Sequence, residues 1–155
     1  MSYQLTAVIA ESGLLTSAAA TFPSARTAPL PQGLALLPMT ETLFSELTKE
    51  NEAGHPAFWR LPTTLDLALA EWSKAGPVAY VESEYFGGLG EENSAVWRAG
   101  RLTLGPLHQL EFEPVPAEGS PAIRALRELG VQPGHSFDEF TALGLDRHRH
   151  SEDWV

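Results

Sequence analysis

Val78-Ala79-Tyr80-Val81-Glu82-Ser83-Glu84-Tyr85-Phe86-Gly87-Gly88-Leu89-Gly90-Glu91-Glu92 begins as a strand-like run and breaks into glycines. It opens a region, residues 77–106, in which apolar residues recur every second position. That period predicts strands over 78–86, 94–98 and 101–104. Ala99-Gly100 is short enough for a tight hairpin, which makes the last two antiparallel neighbours.

Outward from there the period changes. Leu65, Leu69 and Trp72 repeat at i, i+4 and i+7 behind Thr63 or Thr64 as cap, and Gly76-Pro77 ends this helix, with Trp72 expected in the core. Residues 3–10 alternate as a first strand with Tyr3, Leu5, Ala7 and Ile9 on one face. Ser12 can cap a helix over 14–20 that Pro23 stops. Residues 29–38 suggest two short extended pieces around Gln32-Gly33 at a sheet edge. Thr40 or Thr42 starts a helix with Leu43, Phe44 and Leu47 inward. Residues 110–115 suggest one more strand, Ser120-Pro121 starts a helix carrying Ile123, Leu126 and Leu129 inward, and Ser136-x-x-Glu139 reads as a capping box. Helices and hairpins come in blocks, so the expected class is α+β: a mostly antiparallel sheet with helices packed on one face, in a single domain over 1–155 with 146–155 as a candidate mobile tail.

Composition narrows the function. At 155 residues and 43% hydrophobic content the chain can bury a proper core. Twenty acidic residues oppose ten basic ones, for a formal charge of −10, which repels nucleic acid and anionic lipid and favours a basic protein partner. No apolar run reaches the roughly 20 residues of a membrane span. The start, Met1-Ser2-Tyr3-Gln4-Leu5, lacks the charged region of a secretory signal, so the expected location is the cytoplasm. With no cysteine, disulfides, thiolate metal sites and cysteine nucleophiles are excluded.

Four carboxylates, Glu82, Glu84, Glu91 and Glu92, cluster without a local base. Glu82 and Glu84 share a strand face about 7 Å apart, inside the range glycosidases use. Any Glu-x-Glu strand meets that spacing, however, and most such pairs are solvated charges on an open sheet face. Gly87-Gly88-Leu89-Gly90 is no phosphate loop, since Glu91 and Glu92 stand where a helix start or a lysine should be. It reads instead as a turn or bulge. With Tyr85 and Phe86, the four glutamates form a candidate partner-contacting surface. In the tail, His148, His150 and Asp153 are an alternative metal-ligand set, although Arg and His at a terminus are more often solvated or paired. His55, His108 and His135 read as loop residues, and no Gly-x-Ser-x-Gly elbow marks a nucleophile. No cofactor is implied.

The stretch from Pro77 to Glu82, through Tyr85-Phe86-Gly87-Gly88 to Ala95-Val96-Trp97, with Leu143-Gly144-Leu145-Asp146-Arg147-His148-Arg149-His150, resembles a family of small uncharacterised bacterial proteins. That resemblance implies no activity. In size, acidity and α+β make-up the chain is also similar to the immunity proteins that neutralise bacterial toxins. The expected function is therefore binding, most concretely as an acidic immunity-like inhibitor of a protein toxin, with the role of an enzyme disfavoured. The alternatives are a small metal-assisted hydrolase using the C-terminal His/Asp cluster and a structural subunit of a larger assembly.

Overall fold

A computed structural model describes residues 2–155. Six strands form one antiparallel sheet: β1 (Ser2–Glu11), β2 (Ala28–Pro29), β3 (Leu34–Pro38), β4 (Val78–Phe86), β5 (Leu89–Arg98) and β6 (Arg101–Gln109). Their order is β2-β3-β1-β4-β5-β6. The helices are α1 (Ser12–Ala19), α2 (Glu41–Leu47), α3 (Thr63–Trp72), α4 (Pro121–Glu128) and α5 (Glu139–Ala142), followed by a 3₁₀ turn, Ser151–Trp154. The α+β class is as expected, and the layering is not. Successive residues of a strand point to opposite faces, and both parities of β1 and β4 are apolar. Val8, Ala10, Val78 and Tyr80 pack under α1, α2 and α3. Leu5, Ala7, Ile9, Ala79 and Val81 pack under α4, the end of α5 and Trp154. Helices therefore cover both faces, because the continuous run Val78–Val81 leaves neither side fit for water.

Several local readings change for identifiable reasons. Both hairpins are two-residue turns with positive φ, at Gly87-Gly88 and Ala99-Gly100, so β5 starts at Leu89, inside the glycine segment, and takes in Gly90. Glu11 rather than Ser12 caps α1, accepting from the Leu14 N–H at 2.7 Å. Helix α3 begins one residue early, with Pro62 as its cap and Thr63 already in the first turn. Asp138 replaces Ser136 as the cap of α5, while Glu139 is buried and engaged by Arg127 Nε at 2.6 Å, and so does not reach back. Residues 110–115 turn instead of extending: Phe112 has a positive φ, and Glu113 Oε1 accepts from the Leu110 N–H. Trp72 is only partly buried, tilted against Phe22.

The extended pieces at 28–29 and 34–38 both form, but only β2 is an edge strand. The other edge, β6, continues past Leu104 through Pro106 to Gln109 and therefore contains His108, which was read as a loop residue. An edge is where a residue without an N–H is tolerated.

The last ten residues are fastened. β3 pairs with β1 only from Ala7 onward, and the chain end takes the vacant edge beside residues 4–6. Gln4 N–H donates to Arg149 O at 2.7 Å, and the buried Thr6 N–H donates to Ser151 Oγ at 2.9 Å. Trp154 is buried in the core beyond.

Candidate functional site

Of the six residues expected to form one surface, two are buried, and they point to opposite faces of the sheet. Glu82 has no exposed area. Burial of a carboxylate costs several kcal/mol unless donors replace its water, and here four do. Trp59 N–H donates at 2.9 Å, Arg60 N–H at 2.8 Å, Tyr80 OH at 2.7 Å and Asn93 Nδ2 at 3.0 Å. Tyr80 lies two residues away on the same face, and Asn93 stands directly opposite on β5. Burial, reinforced by Glu82, pushes the Tyr80 phenol well above its ordinary range and keeps it a donor. Glu82 thus pins the loop of residues 48–62 to the sheet. A further tie is Arg60, whose guanidinium donates to Glu41 and lies 4.0 Å from the Phe44 ring centre.

The network continues from Asn93, which is close to His108 Nδ1 at 2.7 Å through Oδ1. Beside it, Phe58, Trp59, Glu91, His108 and Leu110 border a groove of about 320 Å³.

Glu92 pairs in register with Ser83 and so faces α4. It is 4% exposed. One oxygen accepts from the Ala122 N–H at 2.9 Å, and the other accepts a short bond from Tyr85 OH. Tyr3 stands edge-on to both Tyr85 and Phe140, with its OH donating to Leu145 O at 2.9 Å. For Tyr3 and Tyr85, burial first and Glu92 second push the phenols upward. These rings and Ile123 wall a cleft of about 560 Å³, rimmed by Ser120, Asp138, Asp146 and Arg149. That volume suits a ligand or an inserted side chain.

A second depression, of about 420 Å³, shares Tyr3 and Tyr85 with this cleft and adds Glu84, Phe86, Leu89, Glu91 and Glu111. Glu84 and Glu91 face each other across the hairpin. Phe86 is 74% exposed at its tip. Among the described residues lining the two depressions, Arg149 is the only cation.

The tail does not assemble the alternative metal set. His150 Nδ1 lies 3.5 Å from Asp153, whereas His148 is turned edge-on against Trp154. Among the described residues no three His, Asp or Glu side chains converge as a metal site, and no helix is long and apolar enough to cross a membrane.

Tyr3, Asp138, Asp146, Asn93 and His108 were not picked out as site residues from the sequence. His108 reaches the face of Glu82 and Asn93 through two register shifts between β5 and β6, which no two-residue period foretells. Nor does any local signal unite Tyr3 with Asp138 and Asp146, which tertiary packing alone brings together. Comparison with family models, curated proteins and solved structures finds no match.

Proposed function

We propose that the hairpin end of the sheet is a recognition surface for a cationic protein partner, and that the protein acts by binding, in the manner of an immunity-like inhibitor of a bacterial toxin. One observation carries this reading: two adjoining depressions share the aromatic walls Tyr3 and Tyr85 and are rimmed by Glu84, Glu91, Glu111, Asp138 and Asp146 against a single arginine. Aromatic faces and carboxylates together favour a guanidinium or ammonium group. Excess charge of one sign steers such a partner, and the aromatics supply desolvated anchors.

Titration with a tetra-arginine peptide, followed by the ring resonances of Tyr3, Tyr85 and Phe140, tests the reading. Saturable shifts that weaken with salt, and weaken at least tenfold in the double variant Asp146→Asn, Glu91→Gln, are expected. A tetra-glutamine peptide should leave the spectra unchanged. Ring resonances unmoved by tetra-arginine at low salt would sink the proposal.

A further inference from the structure

The groove beside His108 lies on the opposite face of the sheet from Glu92 and carries a different chemistry. Its logic starts at Glu82. A carboxyl group surrounded by four donors has only acceptor work to do. Asn93 must then turn its NH₂ toward Glu82 and its carbonyl oxygen toward His108. That oxygen can only accept, so the hydrogen on the imidazole sits on Nδ1. With the Nδ1 hydrogen held by Asn93, the imidazole has Nε2 as the nitrogen left to accept from a ligand. Asn93 is 6% exposed, which keeps water from scrambling the arrangement. The Phe58 ring, 6.4 Å away, packs beside the imidazole.

The groove that His108 lines is largely apolar, with the indole of Trp59 on its wall. Trp59 is 43% exposed and Leu110 56% exposed, and the remaining acceptor at the rim is the Glu91 carboxylate. A ligand complementary to these groups has one face of C–H groups to lie on an indole and a rim of hydroxyls to donate to Nε2 and to Glu91. We propose that this groove is a saccharide-binding site, with Trp59 as the stacking platform and His108 and Glu91 as hydroxyl acceptors. A cation would be served better by the cleft on the other face, where Asp138 and Asp146 stand at the rim of the aromatic walls. Here a single carboxylate accompanies an imidazole and an amide, His108 and Asn93, the pattern for a donor-rich ligand.

The experiment has two arms. In the first, the ring nitrogens of His108 are observed by long-range proton–nitrogen correlation at neutral pH. The Nδ1–H tautomer is expected, and Asn93→Ala should abolish the preference. If Asn93→Ala does not fold, the wild-type spectrum decides this arm alone, and an Nε2–H tautomer overturns the proposal.

In the second arm, methyl glucoside, methyl galactoside, N-acetylglucosamine, cellobiose and lactose are titrated. At least one should shift the Trp59 indole and His108 signals saturably, with a Kd on the order of 1 mM. Trp59→Ala should remove the response and His108→Gln weaken it at least tenfold. No saturable shift with any of these sugars overturns the proposal. So does N-acetyl-arginine amide moving the same two residues in their place.

Discussion

Asn93 Nδ2 donates to Glu82 Oε1 across 3.0 Å, joining two residues that the β4–β5 register places opposite one another. The bond is one of four that hold a glutamate, in a sequence of net charge −10, where no water reaches it. Glu82 acts as a fastener, and its removal leaves the N–H groups of Trp59 and Arg60 without their partner. Glu82→Ala should cost about 3–5 kcal/mol in chemical unfolding, and Glu82→Gln less but still more than 1 kcal/mol, because one amide oxygen replaces two acceptors. A loss under about 1 kcal/mol for the alanine variant contradicts this account.

Glu84 behaves oppositely. It is exposed and faces Glu91 directly, and like charges across an antiparallel pair destabilise. Glu84→Gln should raise stability by about 0.2–1 kcal/mol at low salt, with the gain shrinking as salt screens the pair. Denaturant midpoints at two ionic strengths check both the sign and the trend.

The glycines separate in the same way. A Cβ on Gly87 meets nothing within 4 Å, but its φ of +61° disfavours a side chain, for roughly 1–2 kcal/mol in Gly87→Ala. On Gly90 a Cβ would stand 2.0 Å from Glu84 O and 2.6 Å from Tyr85 Cδ1. Gly90→Ala should therefore cost about 3 kcal/mol or more and shift the Tyr85 ring resonances, which Gly87→Ala should not. Equal effects of the two substitutions argue against the close packing at Gly90.

Where period and turn chemistry act locally, the sequence was a sound guide. The pairing of β5 with β6 follows from Ala99-Gly100, and α4 from Ser120-Pro121. It misled where a tertiary partner outcompetes a local one, as when Arg127 takes Glu139 out of its capping box. The acidic run is the instructive case. Glu82 and Glu92 carry the same charge as Glu84 and Glu91, yet donors supplied from residues 59–60 and 122 bury the first two. Those donors are backbone N–H groups, which no residue type advertises. The cleft around Tyr3 was illegible for the same reason, since residues 3, 85, 92, 138 and 146 meet only once α4 and the tail have docked.

One hydroxyl contributes directly to the docking of the tail. Ser151 Oγ accepts from the Thr6 N–H, and both residues are buried. Ser151→Ala should cost about 1–3 kcal/mol for the orphaned donor, and Trp154→Ala about 3–5 kcal/mol for the lost core ring. Amide exchange at Thr6, normally slow, should accelerate in Ser151→Ala by more than global stability explains. Unchanged exchange there would mean that the tail does not protect the β1 edge.

The tyrosines give a pH signature. All three, Tyr3, Tyr80 and Tyr85, hold their phenolic protons more tightly in the folded chain, chiefly through burial and then through Glu82 or Glu92. A raised folded pKa stabilises fully below the unfolded value, near 10, and that contribution is lost as pH climbs toward the folded value. Unfolding above about pH 10 releases these protons, so stability must fall with rising pH, at up to about 1.4 kcal/mol per pH unit for a fully buried phenol such as Tyr80. Tyr3 and Tyr85, partly open to solvent at the cleft, should add less. In an alkaline titration, phenolate absorbance should therefore stay absent while near-ultraviolet circular dichroism is native and appear only as it collapses. Tyr85→Phe should flatten the decline, while costing stability at neutral pH because Glu92 loses a donor. A phenolate step near pH 10 with the native dichroism intact would show that the phenols titrate freely, and would undo the assignment of Tyr80 and Tyr85 as donors to the two buried glutamates.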